Sequence, residues 1–426
     1  MSIDNNSKKR NIIYLDNAAS TPIDNEVIEE MMPFISNMYG NPSSLHHMGR
    51  QTKLAILKSR NLVAKSIAAN INEIYFTSGG TESNNLALIG STKLIKETSP
   101  SNNQIVVSEI EHDSILETVS YLEKEMRFEV KFLRPNKDGI IDKENLKEAI
   151  TQRTGLVSIM LVNNEIGTIQ PIRKLVEVAK QKNKNVIFHT DAVQALGKIP
   201  VNVNDLGVDL LSLSSHKING PKGAGALYIR HGLNLYPILF GGGQEKKLRS
   251  GTENVYSIVG FGKACEIIEE KINKNKTKTR EIQEYAIDRI TKEIKFSRLN
   301  GSDVERVPNN INFSFLGVNG EDLLIKLDEK GIASSTGSAC SSNKKQKASH
   351  VLKALGLSSE EITGSIRLSL DHHNTMDEME VAITKLKEII EEMRRVNEFK
   401  GFIKGKKKTA GSKKAVKDNT VAFIQA

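Results

Sequence analysis

The chain has 426 residues, with 60 lysines and arginines against 51 aspartates and glutamates, for a formal charge of +9. Its 38% hydrophobic and 26% charged content fits a folded globular protein and excludes collagen-like and wholly disordered chains. No apolar run reaches the roughly 18 residues that suggest a membrane span, and at about 100–200 residues per domain the length suggests two or three domains.

In chain order, the first 20 residues mix acids, amides and short apolar pieces, so neither a secretory signal nor a transit peptide is expected. A helical pattern over 50–69 is followed by short, β-branched apolar runs at 73–77 (EIYFT), 104–107 (QIVV), 129–133 (EVKFL) and 156–161 (LVSIML). A second helical stretch at 173–181 leads to further runs at 186–189 (VIFH), 210–213 (LLSL) and 226–229 (ALYI). Strands alternating with helices predict βαβ units, a mostly parallel sheet and helices on both faces. Ligands on such sheets collect beyond the carboxyl ends of the strands.

From about residue 258 the pattern changes. A charged helical region over 262–294 precedes strand-like runs at 310–315, 332–335 and 365–369 and a closing helix over 377–399. We expect a segment 1–23 packing with the small domain, a large domain 24–260, a smaller α+β domain 261–399 and a basic tail 400–426. The tail holds eight lysines against Asp418, net +7, which leaves only +2 on the other 399 residues. A block of like charge predicts a solvated, disordered tail. A nucleic-acid or acidic partner could bind there, although Phe402 and Phe423 alone offer little base stacking.

Three segments carry candidate chemistry. Phe76-Thr77-Ser78-Gly79-Gly80-Thr81 joins a strand to a helix, and its glycines and first amides suit an anion at a helix N-terminus. Taken singly it is an ordinary capped glycine turn. In 186–194, Asp191 follows an apolar strand, where a carboxylate needs a partner such as a pyridinium N–H or a helix cap. In 211–223, Lys217 follows another apolar strand, and burial lowers a lysine's pKa and frees its amine for Schiff-base chemistry. The order of the three says more than any one of them.

With YLDNAAST near the start, GNPSS at 40–44, EIEHDSI around His112, VNNEIG at 162–167, GGGQE, RSGTEN at 249–254, SSTGSAC ending at Cys340 and SIRLSL at 365–370, the set resembles the PLP-dependent cysteine desulfurases of the NifS/IscS type over about residues 12–395. That family belongs to the class V aminotransferases. The resemblance implies the α/β architecture of fold-type I PLP enzymes, with a mostly parallel seven-stranded sheet and a smaller α+β domain. It implies pyridoxal 5'-phosphate as cofactor and L-cysteine as substrate. Lys217 would carry the cofactor, Asp191 would meet its ring nitrogen, Gln194 its phenolic oxygen, and His112 would stack on the ring. Thr81, Ser214, His216 and the Gly80 backbone would hold the phosphate. Thr252 would reach the phosphate of a neighbouring subunit, which implies a homodimer. Asn164 and Arg367 would orient the substrate, the guanidinium taking its carboxylate.

Cys340 would receive the sulfur as a persulfide, releasing L-alanine, and pass it to an iron–sulfur scaffold, a tRNA-thiolation enzyme or another acceptor. No resident metal is implied, although Cys340 could touch an iron–sulfur cluster during transfer. Cys340 sits among small residues, which suits a travelling thiolate. Cys265, inside an apolar helical run, reads as packing. Two departures stand out. After Cys340 the family's Leu-Glu-Pro-Ser stretch is replaced by NKKQKASH, and the lysine tail stands where an IscS-type scaffold-binding end is expected. Alternatives from this sequence are a selenocysteine lyase, a class V transaminase, a desulfurase serving nucleic-acid sulfur modification through its tail, and a non-catalytic adaptor.

Overall fold

The computed structural model describes residues 12–336 and 348–396, with backbone alone over 269–276. Cys340, the altered segment up to residue 347 and the lysine tail lie outside the described residues.

The strands are β1 (Ile13–Tyr14), β2 (Ile74–Thr77), β3 (Gln104–Ser108), β4 (Glu129–Leu133), β5 (Thr154–Ser158), β6 (Ile187–Asp191), β7 (Leu210–Ser214), β8 (Gly225–Ile229), β9 (Ser297–Leu299), β10 (Asn310–Phe315), β11 (Ile332–Ala333) and β12 (Ser365–Ser369). The large sheet has seven strands in the order β2-β8-β7-β6-β5-β3-β4. Only β8 runs against its neighbours, so the carboxyl ends of the other six share one edge. Strands β3, β5, β6, β7 and β8 are buried throughout, as expected of strands covered by helices on both faces. Two apolar cores, one on each face, hold the sheet. Val106, Val157, Phe188 and Leu211 point into the first, and Ile105, Leu156, Ile187 and Leu210 into the second. That alternation is the period of two of an extended chain.

A third core belongs to the smaller unit, where the antiparallel sheet β12-β10-β9 packs on the helix Met376–Val396. Leu15 joins this core, and β1 pairs with β11, so the chain's beginning is stitched to its last third. One long helix, Val255–Glu293, serves both units. Its early residues, among them Phe261 and Cys265, sit in the first core, and Ile282, Ala286 and Ile290 sit in the third. The expected division at 260/261 therefore falls inside this helix. Cys265 is buried, and desolvation pushes its thiol up to about 12, which leaves it inert packing.

Several bounds differ from the sequence reading. The run expected at 156–161 is a strand only over Thr154–Ser158, because beyond it the Met160 amide is taken by the Glu111 carboxylate. The run at 332–335 pairs with β1 only through Ile332 and Ala333, and Ser335 bridges to Arg367 instead. Asp191 is the last residue of β6, not a residue beyond it, since its register with Ser212 of β7 continues the ladder. The helix expected from 262 begins at Val255.

Candidate active site

The shared carboxyl edge of the sheet collects the residues that the motifs singled out. Strand β2 runs into Ser78-Gly79 and the helix Gly80–Thr98. Gly79 has φ of 155°, a conformation that L side chains rarely adopt, which explains a glycine at the entry to this helix. A Cβ on Gly80 would meet Val193 Cγ2 at 2.8 Å, so the helix N-terminus is pressed against the loop after β6. Thr81 stands exposed in the first turn.

Ser214 ends β7 directly beneath this turn. Its Oγ is 4.0 Å from where a Gly79 Cβ would lie, is buried, and has no hydrogen-bond partner. A hydroxyl buried without a partner costs about 1–3 kcal/mol, so it calls for a ligand. Beside the amides of a helix N-terminus, that ligand is an anion of phosphate size. The donor set therefore fits the phosphate of PLP.

Asp191 is buried and doubly engaged. Its Oδ2 accepts from Asn84 Nδ2 at 2.7 Å and its Oδ1 from the Val193 amide at 2.9 Å. The Val193 bond resembles the capping role allowed for an Asp here, but no regular helix follows. Asn84 comes from the same helix as Gly80 and also reaches Ser114 Oγ at 2.8 Å. Ser114 in turn contacts His112. The His112 Nδ1 accepts the Ser114 amide at 3.0 Å as the cap of the helix Asp113–Met126, which leaves the proton of the neutral ring on Nε2. One chain of contacts thus runs from His112 to Asp191.

A second chain of contacts centres on residues 16–20. Lys217 Nζ donates to the carbonyls of Ala18 and Ala19, each at 2.7 Å, and Gln194 Nε2 donates to the same Ala18 carbonyl at 2.9 Å. His216 Nδ1 lies 3.3 Å from Ser20 Oγ. Desolvation, then the charges of Lys217, Lys222 and Lys198, brings His216 down to about 4, so its ring is neutral at pH 7. Lys198 Nζ donates to the Lys217 carbonyl at 2.5 Å, and desolvation brings its ammonium down to about 8.

Arg367 arrives from β12 of the smaller unit. It pairs with Asp16 Oδ1 at 2.7 Å and donates to the Asn164 carbonyl at 2.9 Å, while its buried Nε has no partner. The arrangement thus brings Asn164 and Arg367 together. Thr252 is exposed in the loop after β8. Glu82 holds that loop by a two-pronged pair with Arg249, at 2.7 and 3.2 Å.

Sequence reasoning passed over several participants. Asp16, Asn84, Ser114 and Lys198 act through partners distant in the chain; Asp16 and Ser114 lie in quoted motifs but carry no local signature of their role. Glu111 and Glu165 are buried carboxyls whose pKa values burial raises; Glu165 accepts from Ser349 Oγ at 2.6 Å. No regular spacing in the sequence announces them.

Comparison with known proteins agrees with this geometry. Residues 13–381 match the family of class V aminotransferases. The chain is similar to the cysteine desulfurase IscS of Dictyoglomus turgidum, 46% identical over 397 residues, 93% of this chain and 99% of the relative. The IscS of Methanosarcina thermophila is 44% identical over 92% of this chain and 96% of its own length. Among solved structures, a NifS-like protein superposes with a TM-score of 0.83 at 37% identity, covering 89% of this chain and 99% of that one. A structure described as SspA in complex with cysteine gives 0.70 at 36% identity, over 85% and 100%. A family match across most of the chain, with relatives this close along nearly their whole length, places the protein in the class V aminotransferase family, as an enzyme of its cysteine desulfurase branch.

Proposed function

We propose that this enzyme removes sulfur from free L-cysteine with the help of pyridoxal 5'-phosphate held by Lys217, leaving L-alanine and a persulfide on Cys340. The buried, unpartnered Ser214 hydroxyl at the N-terminus of helix Gly80–Thr98, one turn from Lys217, is the observation that carries the cofactor assignment. When bound, PLP supplies an electron sink that makes the substrate's α-proton acidic.

The residues divide the remaining work. Ser214, Thr81, the Gly80 amide and neutral His216 hold the phosphate, with the helix dipole adding to the attraction. Asp191, kept in place by Asn84 and the Val193 amide, holds a proton on the ring nitrogen. Gln194 holds the phenolic oxygen. His112, its Nδ1 occupied by the Ser114 amide, would stack on the ring and move protons. Lys217 Nζ, held at this edge by the Ala18 and Ala19 carbonyls, would carry the cofactor and move the substrate's α-proton. Arg367 receives the substrate carboxylate while Asp16 and the Asn164 carbonyl fix its guanidinium plane. The Cys340 thiolate forms a bond to the substrate sulfur as the Cβ–S bond breaks, and alanine departs after protonation at that carbon.

The name of one structural neighbour pairs it with cysteine, which supports cysteine as the substrate. Thr252, exposed on a loop clamped by Arg249 to Glu82, suits a contact with a second copy, and we take the working unit to be a homodimer. The persulfide passes to an iron–sulfur scaffold or another sulfur acceptor. Among the described residues no helix is long and apolar enough to cross a membrane.

Replacing Cys340 tests the reading. Cys340→Ala should abolish alanine release from cysteine and keep the yellow cofactor absorbance. Unchanged alanine production would overturn the assignment of the nucleophile, and a colourless protein after loading with PLP would overturn the cofactor.

A further inference from the structure

Outside the cofactor edge, one cluster of metal-ligating side chains gathers where the two units meet. Asp24 ends the N-terminal segment and precedes the helix Asn25–Ser36. His372 and His373 lie in the turn between β12 and the helix Met376–Val396. Some 350 residues apart in sequence, they are brought together by the same stitching that pairs β1 with β11.

The distances suit shared coordination. Asp24 Oδ1 is 3.3 Å from His373 Nε2 and 3.6 Å from His372 Nε2, and one ligand atom from each residue lies within 4.8 Å of the others. Three donors bound tetrahedrally to one ion at about 2.0–2.1 Å stand about 3.3–3.4 Å apart. The outer contacts agree. Asp371 Oδ1 lies 2.8 Å from His372 Nδ1, so that nitrogen carries a proton, and Nε2 is the ring atom that faces Asp24. Asp371 Oδ2 is itself held by Asn219 Nδ2 at 2.6 Å. A carboxylate behind a histidine is the usual way a ligating ring is aimed at a metal.

Asp24 adds an independent sign. It occupies the cap position of its helix, yet its side chain makes no capping hydrogen bond. An aspartate at that position ordinarily accepts a first-turn amide. Here the carboxylate is turned toward the two rings. Simple ion pairing explains this less well. Pairing of Asp24 with both rings as imidazoliums would bring two like charges together, since the ring centroids are only 3.7 Å apart. A divalent ion satisfies a nitrogen of each ring and the carboxylate at once.

We infer that Asp24, His372 and His373 bind a divalent transition-metal ion of the zinc type, in a three-ligand site with a position left to water. His373 is exposed, which provides the entry path. The site serves as a clamp. The Asp24 amide donates to the Asn219 carbonyl, Asn219 lies two residues after Lys217, and His372 and His373 follow the strand that carries Arg367. A bound ion therefore ties the lysine loop to the substrate-arginine strand without entering the chemistry.

The test uses untagged holoenzyme carrying Cys340→Ser, so that the sulfur-carrier thiol does not compete for metal. After dialysis against a chelator it is titrated with Zn²⁺ by calorimetry and, separately, loaded with Co²⁺ for visible spectroscopy. One Zn²⁺ per chain should bind, and Co²⁺ should give the intense visible bands of a four-coordinate ion. Asp24→Asn, which is isosteric, and His373→Ala, at an exposed position, should each weaken Zn²⁺ binding by about 10-fold or more. Zn²⁺ should raise the melting temperature of the parent and leave that of His373→Ala unchanged. Absence of stoichiometric binding to the parent would overturn the site. So would binding by both variants as tight as by the parent.

Discussion

The cofactor edge and the junction between the units are built in opposite ways. At the edge, the functional residues sit at strand ends and helix starts, and part of what holds them is local, Asp191 with Val193 and His112 with Ser114, beside longer-range partners such as Asn84 on Asp191 and Ala18 on Lys217. At the junction, the partners are about 200 to 350 residues apart: Arg367 with Asp16 and Asn164, His373 with Asp24. A short motif can encode the first kind of site. The second exists only once both units have folded against each other. The edge should therefore answer to mutation in chemistry alone, and the junction in substrate binding and stability together.

The largest effect separates the two most sharply. Asp191→Asn should lower kcat for alanine release by about 10²–10³-fold, the usual loss when one positioned electrostatic group is removed, with little change in melting temperature. Retention of more than a tenth of the activity would break the contrast from the side of the edge.

Asp16→Asn tests the junction. It leaves the buried Arg367 guanidinium with a carbonyl partner only, so unfolding in urea should show a loss of about 1–3 kcal/mol. KM for cysteine should rise by about 10-fold, because the guanidinium plane is no longer held. A fall in kcat equal to that of Asp191→Asn, with stability unchanged, would show that the junction behaves like the edge.

The third effect concerns acid. His189 lies under the edge between Ser158 Oγ and Ser212 Oγ, at 2.8 and 3.0 Å, and burial brings it down to about 3. The unfolded histidine takes up a proton near pH 6.5, and the folded one does not until about 3. Above pH 6.5 neither state is protonated. As pH falls from 6.5 toward 3 the unfolded chain gains the proton first, so stability declines, with a limiting slope of about 1.4 kcal/mol per pH unit. His216, down to about 4, adds a smaller, solvent-screened contribution over pH 6.5 to 4. Urea unfolding at a series of pH values should show the decline, and His189→Gln should flatten it. An acid limb equally steep in the variant would place the sensitivity elsewhere.

The smallest effect is expected at the loop that carries Thr252. Arg249→Ala removes a partly buried pair with Glu82 and should cost about 0.5–1 kcal/mol in thermal unfolding, with kcat changed by less than about threefold. A larger loss of activity than of stability would join this loop to the edge.

Much of the edge was legible because its cues are local. Alternating apolar runs located all seven strands of the large sheet, and the glycines before Thr81 and the lysine after an apolar strand marked two of its corners. With the strand read as ending at residue 189, Asp191 falls two residues beyond it, because nothing local tells a terminal strand residue from the first residue of the loop. Asn84, which holds that aspartate, went unmarked: a polar residue on a helix looks like any solvated one until the helix is packed on the sheet. The length of the helix Val255–Glu293 was also underread, since its early turns are apolar on the face toward the large core and give no starting signal.

Sequence alone settled the class of fold, the places of the seven strands of the large sheet, and the family to which the chain belongs. These follow from hydrophobic period and from motifs whose parts lie within a few residues of each other. Tertiary structure alone decided which edge of the sheet gathers the motifs, that residues 16–20 receive Lys217, Gln194 and His216, that Asp16 aims Arg367, and that Asp24 meets two histidines. The physical reason is that hydrogen bonds and ion pairs act over about 3 Å of space, whatever the distance along the chain. Only packing both units around β1 and the long helix brings those partners within reach.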